Sequence, residues 1–202
     1  MTRNKLLIST VTLAVAGLTG GTAVYAQGNY GSRTTNTVPD STVGKTADTT
    51  FMNKAASGGM AEVKFAQLAQ QKASSPSVKD FAIRMSADHS RANMELKGVA
   101  AKDNVTLPTI LDAQDQATYD RLSKLSGKQF DREYMRVMVQ DHEKDVSEFK
   151  RESTSGKDPS IKNFASETLP TLEEHLKMAR QTDKEIGGSA AHNADTGAKP
   201  AQ

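Results

Sequence analysis

Breaks at Ser74-Ser75-Pro76, Leu107-Pro108 and Ser155-Gly156-Lys157-Asp158-Pro159 divide residues 49–186 into long segments, and within each the apolar residues recur at intervals of three and four. Strand-like alternation is missing, and the segments are rich in Ala, Lys, Glu, Gln and Met, which favour helix. A long helix that is apolar along only one stripe must bury that stripe against others. Two hairpins with short turns, joined by a longer connection, therefore predict an all-α, ferritin-like four-helix bundle with a short crossover helix.

The breaks also set the expected bounds. The first helix should run from Thr49, capped by Asp48 or Thr49 itself, to Ala73, with Gly58-Gly59 either a local weakness or a point of close helix approach. The second should run from Pro76 to Asp103, the crossover from Asp112 to Leu125, the third from Gly127 to Ser153, and the fourth from Pro159 to Ile186. Pro170 falls inside the last and should kink it.

The ends read differently. Arg3 and Lys5 precede the apolar run Leu6 to Leu18, and small residues lead up to Ala26, so residues 1–26 read as a secretory signal peptide. The apolar run is shorter than the ~20 residues needed to span a bilayer. Residues 27–47 and 187–202 are polar and poor in apolar side chains, and are expected to form a flexible leader and a disordered tail on either side of a bundle at 48–186. His192 lies in that tail and reads as an idle surface residue.

There is no cysteine, which excludes a disulfide framework and a lipid-bearing cysteine after the signal. Loss of Arg3 and Lys5 with the signal leaves 24 basic against 24 acidic residues, with no long run of one sign to mark a nucleic-acid partner. The expected location is the periplasm, the periphery of the outer membrane, or the medium. No transmembrane segment is expected in the mature chain, and any protein partner is left unidentified.

Met85-Ser86-Ala87-Asp88-His89 recurs as Met138-Val139-Gln140-Asp141-His142 within a longer match of 81–97 to 134–150, which suggests two related hairpins. His89, His142 and His175 each fall on the apolar stripe of a different helix. The first helix has no histidine, but the same spacing puts Glu62 on its stripe. Counted from the turns, Glu62 and His89 differ in height by ~3 Å, and His142 and His175 by less than about one helical turn. An inward carboxylate needs a partner or a cation. These four residues are accordingly the candidate ligands of one metal ion, with zinc, iron and copper all acceptable to such a donor set. A metal-free hydrogen-bond cluster is the alternative.

Asp88, Asp141 and Glu174, each preceding a histidine, lie about 100° round the helix from it. They could orient a ligand imidazole on a neighbouring helix, but read better as solvated boundary residues. Met85, Met138 and Met178, one turn from the histidines, read better as packing than as thioether ligands. No catalytic residue and no organic cofactor site is identified, because cysteine nucleophiles, Gly-x-Ser-x-Gly, phosphate loops and dinucleotide fingerprints are all missing from the sequence.

Gly58-Gly59-Met60-Ala61-Glu62-Val63, the Met-x-x-Asp-His of the second helix, Asp141-His142-Glu143-Lys144 and Leu169 to Leu176 together resemble the bacterial family catalogued as domain of unknown function 4142, often labelled predicted outer membrane protein or ferritin-like. The resemblance covers about residues 48–186 and implies an exported ferritin-like bundle without an assigned activity. Di-iron members of that broader class carry Glu-x-x-His motifs. Here Ser86, Val139 and Leu172 stand where those glutamates would be, which favours a mononuclear site. The expected role is metal binding and envelope stress protection. The alternatives are a structural or interaction module and a metal-dependent oxidoreductase.

Overall fold

The computed structural model describes residues 40–195, with side chains over 46–187. The expected signal peptide, most of the expected leader and the side chain of His192 lie outside the described residues. Five helices follow in order: α1 (Asp40–Lys72), α2 (Pro76–Lys102), α3 (Ala113–Ser123), α4 (Gly127–Ser155) and α5 (Pro159–Asp195). The fold is the expected all-α four-helix bundle, with α3 as the crossover. Among the described residues no helix is long and apolar enough to cross a membrane.

The packed pairs are α1 with α2, α2 with α5, α5 with α4, and α4 with α1, so the four long helices form a closed ring. Two apolar layers fix their directions. A lower layer joins Phe65, Phe81, Met85, Phe130, Tyr134 and Met138, and an upper one joins Phe51, Met52, Leu96, Phe149, Phe164 and Leu172. Phe130 and Phe149 lie at opposite ends of α4, as Phe81 and Leu96 do in α2, so α2 and α4 run parallel. Every adjacent pair is therefore antiparallel, and the 103–126 connection must return the length of the bundle. Burial of each large side chain contributes about 1.5–3 kcal/mol. The repeat maps onto α2 and α4, not onto two equivalent hairpins, because their connections to α1 and α5 lie at opposite ends.

Two bounds differ from the sequence reading. The first helix begins at Asp40, not at Thr49. Asp48 is a cap, but for a different element: its buried carboxylate accepts from the backbone N–H of Lys157 at 3.0 Å and of Asp158 at 2.6 Å, in the turn before α5. At the other end of the bundle Asp131 of α4 does the same for the α1–α2 turn, accepting from Ser74 N–H and Ser75 N–H, each at 3.0 Å. Helix α5 continues past Ile186 to Asp195, where an alanine-rich stretch follows Gly187-Gly188. It also continues through Pro170.

The glycine pair divides its roles. A Cβ on Gly59 would overlap the side-chain amide of Asn93 on α2, whereas one on Gly58 would meet nothing within 4 Å. Gly58→Ala is therefore expected to raise stability by about 1 kcal/mol through helix propensity alone. Gly59→Ala should show that gain only when Asn93→Ala is made in the same chain. A double-mutant cycle followed by urea unfolding checks this, and equal gains from both single substitutions would refute it.

Candidate metal centre

Between the two apolar layers lies a polar one. His142 and His175 are fully buried, Glu62 is 3% exposed and His89 6%. Helical spacing explains how each arrives there. Glu62 is one turn from Gly58 and nearly one from Phe65 on α1, His89 is one turn from Met85 on α2, His142 one turn from Met138 on α4, and His175 three residues from Leu172 on α5. All four residues named from the sequence are thus brought to one level. The ring centroids of the three histidines lie 5.3–5.5 Å apart.

Each imidazole is held from outside the cluster by one nitrogen. His89 Nδ1 lies 2.9 Å from Glu62 Oε2, His142 Nδ1 lies 3.0 Å from the carbonyl oxygen of Met138, and His175 Nε2 lies 3.0 Å from Asp88 Oδ2. The Met138 carbonyl and the Asp88 carboxylate accept, so His142 Nδ1 and His175 Nε2 carry the N–H, and His89 Nδ1 does so when Glu62 is ionised. The other nitrogen of each ring, His89 Nε2, His142 Nε2 and His175 Nδ1, is buried without a hydrogen-bond partner and bears the lone pair. The three rings offer one nitrogen each, all within 4.8 Å of one another. A metal bound at ~2.0–2.1 Å from each nitrogen would draw them to roughly 3.5 Å, a contraction that small side-chain rotations can supply.

Glu62 stands behind this set of three. Its Oε2 faces His89 Nδ1 and its Oε1, also without a hydrogen bond, lies 3.4 Å from His142 Nδ1. The carboxylate thus sits on the protonated edges of two rings. At hydrogen-bond distance from His89 alone, it can fix the orientation of that ring.

The electrostatics follow from burial. Burial lowers the pKa of His89, of His142 and of His175 from 6.5 to about 4, so all three are neutral at pH 7 and free to bind a metal. Burial likewise raises Glu62 to about 7, against the pull of His142. Asp145 is pushed well above its usual range by burial and by the neighbouring Glu62 and Asp141. At Asp88 burial also works upward, yet the bond from His175 and the Arg84 and Arg91 guanidiniums outweigh it and hold the carboxyl below its ordinary value.

Asp88 is the site residue that the sequence reading placed with the solvated acids. A residue 100° off the stripe of one helix can face the stripe of the next, and α5 is the neighbour on that side of α2. Asp141 and Glu174 do occupy the boundary, paired with Lys144 and Arg84. Met85 and Met138 pack in the lower layer, and Met178 Sδ accepts from Arg84 at 3.6 Å.

A family model described as a domain of unknown function, DUF4142, matches residues 33–182. No curated protein matches the chain. Solved structures similar to it include a DUF305 protein from Streptomyces coelicolor, with a TM-score of 0.59 and 17% identity over 70% of this chain and 92% of the other. A DUF305 fragment from Deinococcus radiodurans gives 0.60 and 13% over 70% and 95%. CopM in its Cu(I)-bound form gives 0.57 and 20% over 68% and 96%. At these identities the likeness establishes a shared fold.

Proposed function

The chain belongs to the DUF4142 family, a domain of unknown function, and on that premise we propose that its bundle binds one transition-metal ion through His89, His142 and His175, with copper(I) as the preferred ion. One observation carries the reading: three buried, neutral imidazoles each hold one nitrogen against an acceptor and leave the other without a hydrogen-bond partner, and one nitrogen of each ring lies within 4.8 Å of the others. A cluster kept only to fix helix register would be expected to pair those nitrogens. Leaving one buried polar atom unpaired costs about 1–3 kcal/mol, so three are a heavy burden without a ligand.

Charge supports the monovalent ion. Solvation energy scales with the square of the charge, so bringing a monovalent ion into this buried layer costs about a quarter of what a divalent ion costs. Ionisation of Glu62 then neutralises it. Imidazole also suits zinc and iron, which makes them the competing ions. The similarity to CopM in its Cu(I)-bound form lends further support.

In this reading residues 1–26 are a signal peptide, residues 27–39 a leader, and the bundle sequesters metal in the cell envelope, in the periplasm or at the face of the outer membrane. Binding, not turnover, is its role.

The test is elemental analysis of untagged protein purified anaerobically from its native envelope, alongside a His89→Ala, His175→Ala variant. One copper per chain in the natural protein and none in the variant is the expected result. Failure of the natural protein to retain copper, zinc or iron, even after incubation with each, would sink the proposal. Stoichiometric zinc or iron in place of copper would keep the site and overturn the choice of ion.

A further inference from the structure

A cavity of about 30 Å³ adjoins the cluster and reaches all four long helices. About 10–15 Å³ of such space holds one water, so this one has room for a ligand of two or three heavy atoms. His89 and His175 line it, and His142 does not. Two of the three unpartnered nitrogens therefore belong to rings that form the cavity wall. An ion held by the three imidazoles would lie beside this space, which could then supply a further ligand.

The walls select what enters. Ala55, Ala92, Leu96, Phe149 and Leu172 give an apolar surface, and Gly58 leaves one side clear of any Cβ. The polar groups on the wall include three carboxylates, those of Glu62, Asp88 and Asp145, beside Asn93, Thr168 and Thr171. An anion entering would meet negative charge in a poorly solvated space, whereas a neutral diatomic meets neither a charge penalty nor a steric one. We propose that this cavity is an exogenous-ligand pocket, which places one neutral diatomic molecule, of the size of carbon monoxide or dioxygen, on the fourth coordination position of the metal. This rests on the three-histidine reading above.

Carbon monoxide is the probe. The full mature chain is loaded with copper(I), its copper content is measured, and infrared spectra are recorded under carbon monoxide. A single C–O stretching band, titrating to one carbon monoxide per copper and unchanged by excess azide, is the expected result. Gly58→Leu and Ala92→Leu fill the cavity from α1 and α2 without altering a histidine. Each should keep the copper content and weaken carbon monoxide binding by at least about tenfold.

A copper-loaded natural protein with no C–O band overturns the pocket while leaving the metal site standing. A band equally strong in both filled variants overturns the assignment to this cavity, and displacement by azide overturns the neutral class. Failure to take up copper is read in the metal analysis before carbon monoxide is added, and removes the metal site and the pocket together. Should either leucine variant fail to fold, by circular dichroism, the other carries the comparison.

Discussion

Replacing His142 by Leu is expected to abolish metal binding and at the same time to raise the stability of the metal-free protein. His142 is fully buried, its Nε2 has no hydrogen-bond partner, and its Nδ1 bonds a carbonyl that the helix already uses. Leu fills a similar volume without the unpaired atom, and Glu62 keeps His89 as its partner. The metal-free gain should be about 1–2 kcal/mol, the lower part of the penalty for a buried unpaired group. With metal present the order reverses, since a ligand bound at a hundred times its dissociation constant adds about 2.7 kcal/mol to the natural protein alone. Urea unfolding with and without copper(I) measures both. A loss of metal-free stability of about 1–3 kcal/mol would instead mark the cluster as a structural hydrogen-bond network.

The same substitution has a pH signature. Each imidazole has a folded-state pKa of about 4 against an ordinary value of 6.5, so the unfolded chain binds protons first, and the contribution of each to stability is lost as pH falls from 6.5 toward 4. Glu62, raised from 4.5 to about 7, acts oppositely and favours the folded state as pH falls through that window. Removing one of the three imidazoles should therefore make the acid limb of the stability profile shallower. An unchanged limb would contradict burial as the cause of the lowered values.

Asp131→Ala should be among the most destabilising single changes, at about 3–5 kcal/mol. The carboxylate is 3% exposed and accepts three hydrogen bonds: Ser74 N–H at 3.0 Å, Ser74 O–H at 2.5 Å and Ser75 N–H at 3.0 Å. Hydrogen bonds to a charged group contribute about 1.5–3 kcal/mol each, and truncation also leaves two backbone donors at the turn without partners. Asp131→Asn keeps acceptor capacity at one oxygen and should cost roughly half as much. Thermal unfolding of the metal-free protein separates the two. An alanine variant within about 0.5 kcal/mol of the natural chain would show that the turn finds other partners.

Much of this protein was determined by local sequence. Ser75-Pro76 and Gly156 to Pro159 stop and restart helices because proline and glycine act on the backbone where they stand. The spacing of Glu62, His89, His142 and His175 along apolar stripes put them in the interior, because helical periodicity alone decides which face a residue occupies.

Periodicity says nothing about which helix lies beside which face. That choice gave Asp88 to His175 and set Glu62 behind two rings, and it tied Asp48 and Asp131 to turns at opposite ends of the bundle. The cavity beside the histidines is likewise formed by residues of all four long helices, each ordinary within its own segment. The sequence chose the donors. Only the order and direction in which four helices pack decided which of their nitrogens lack a partner and which rings line a cavity.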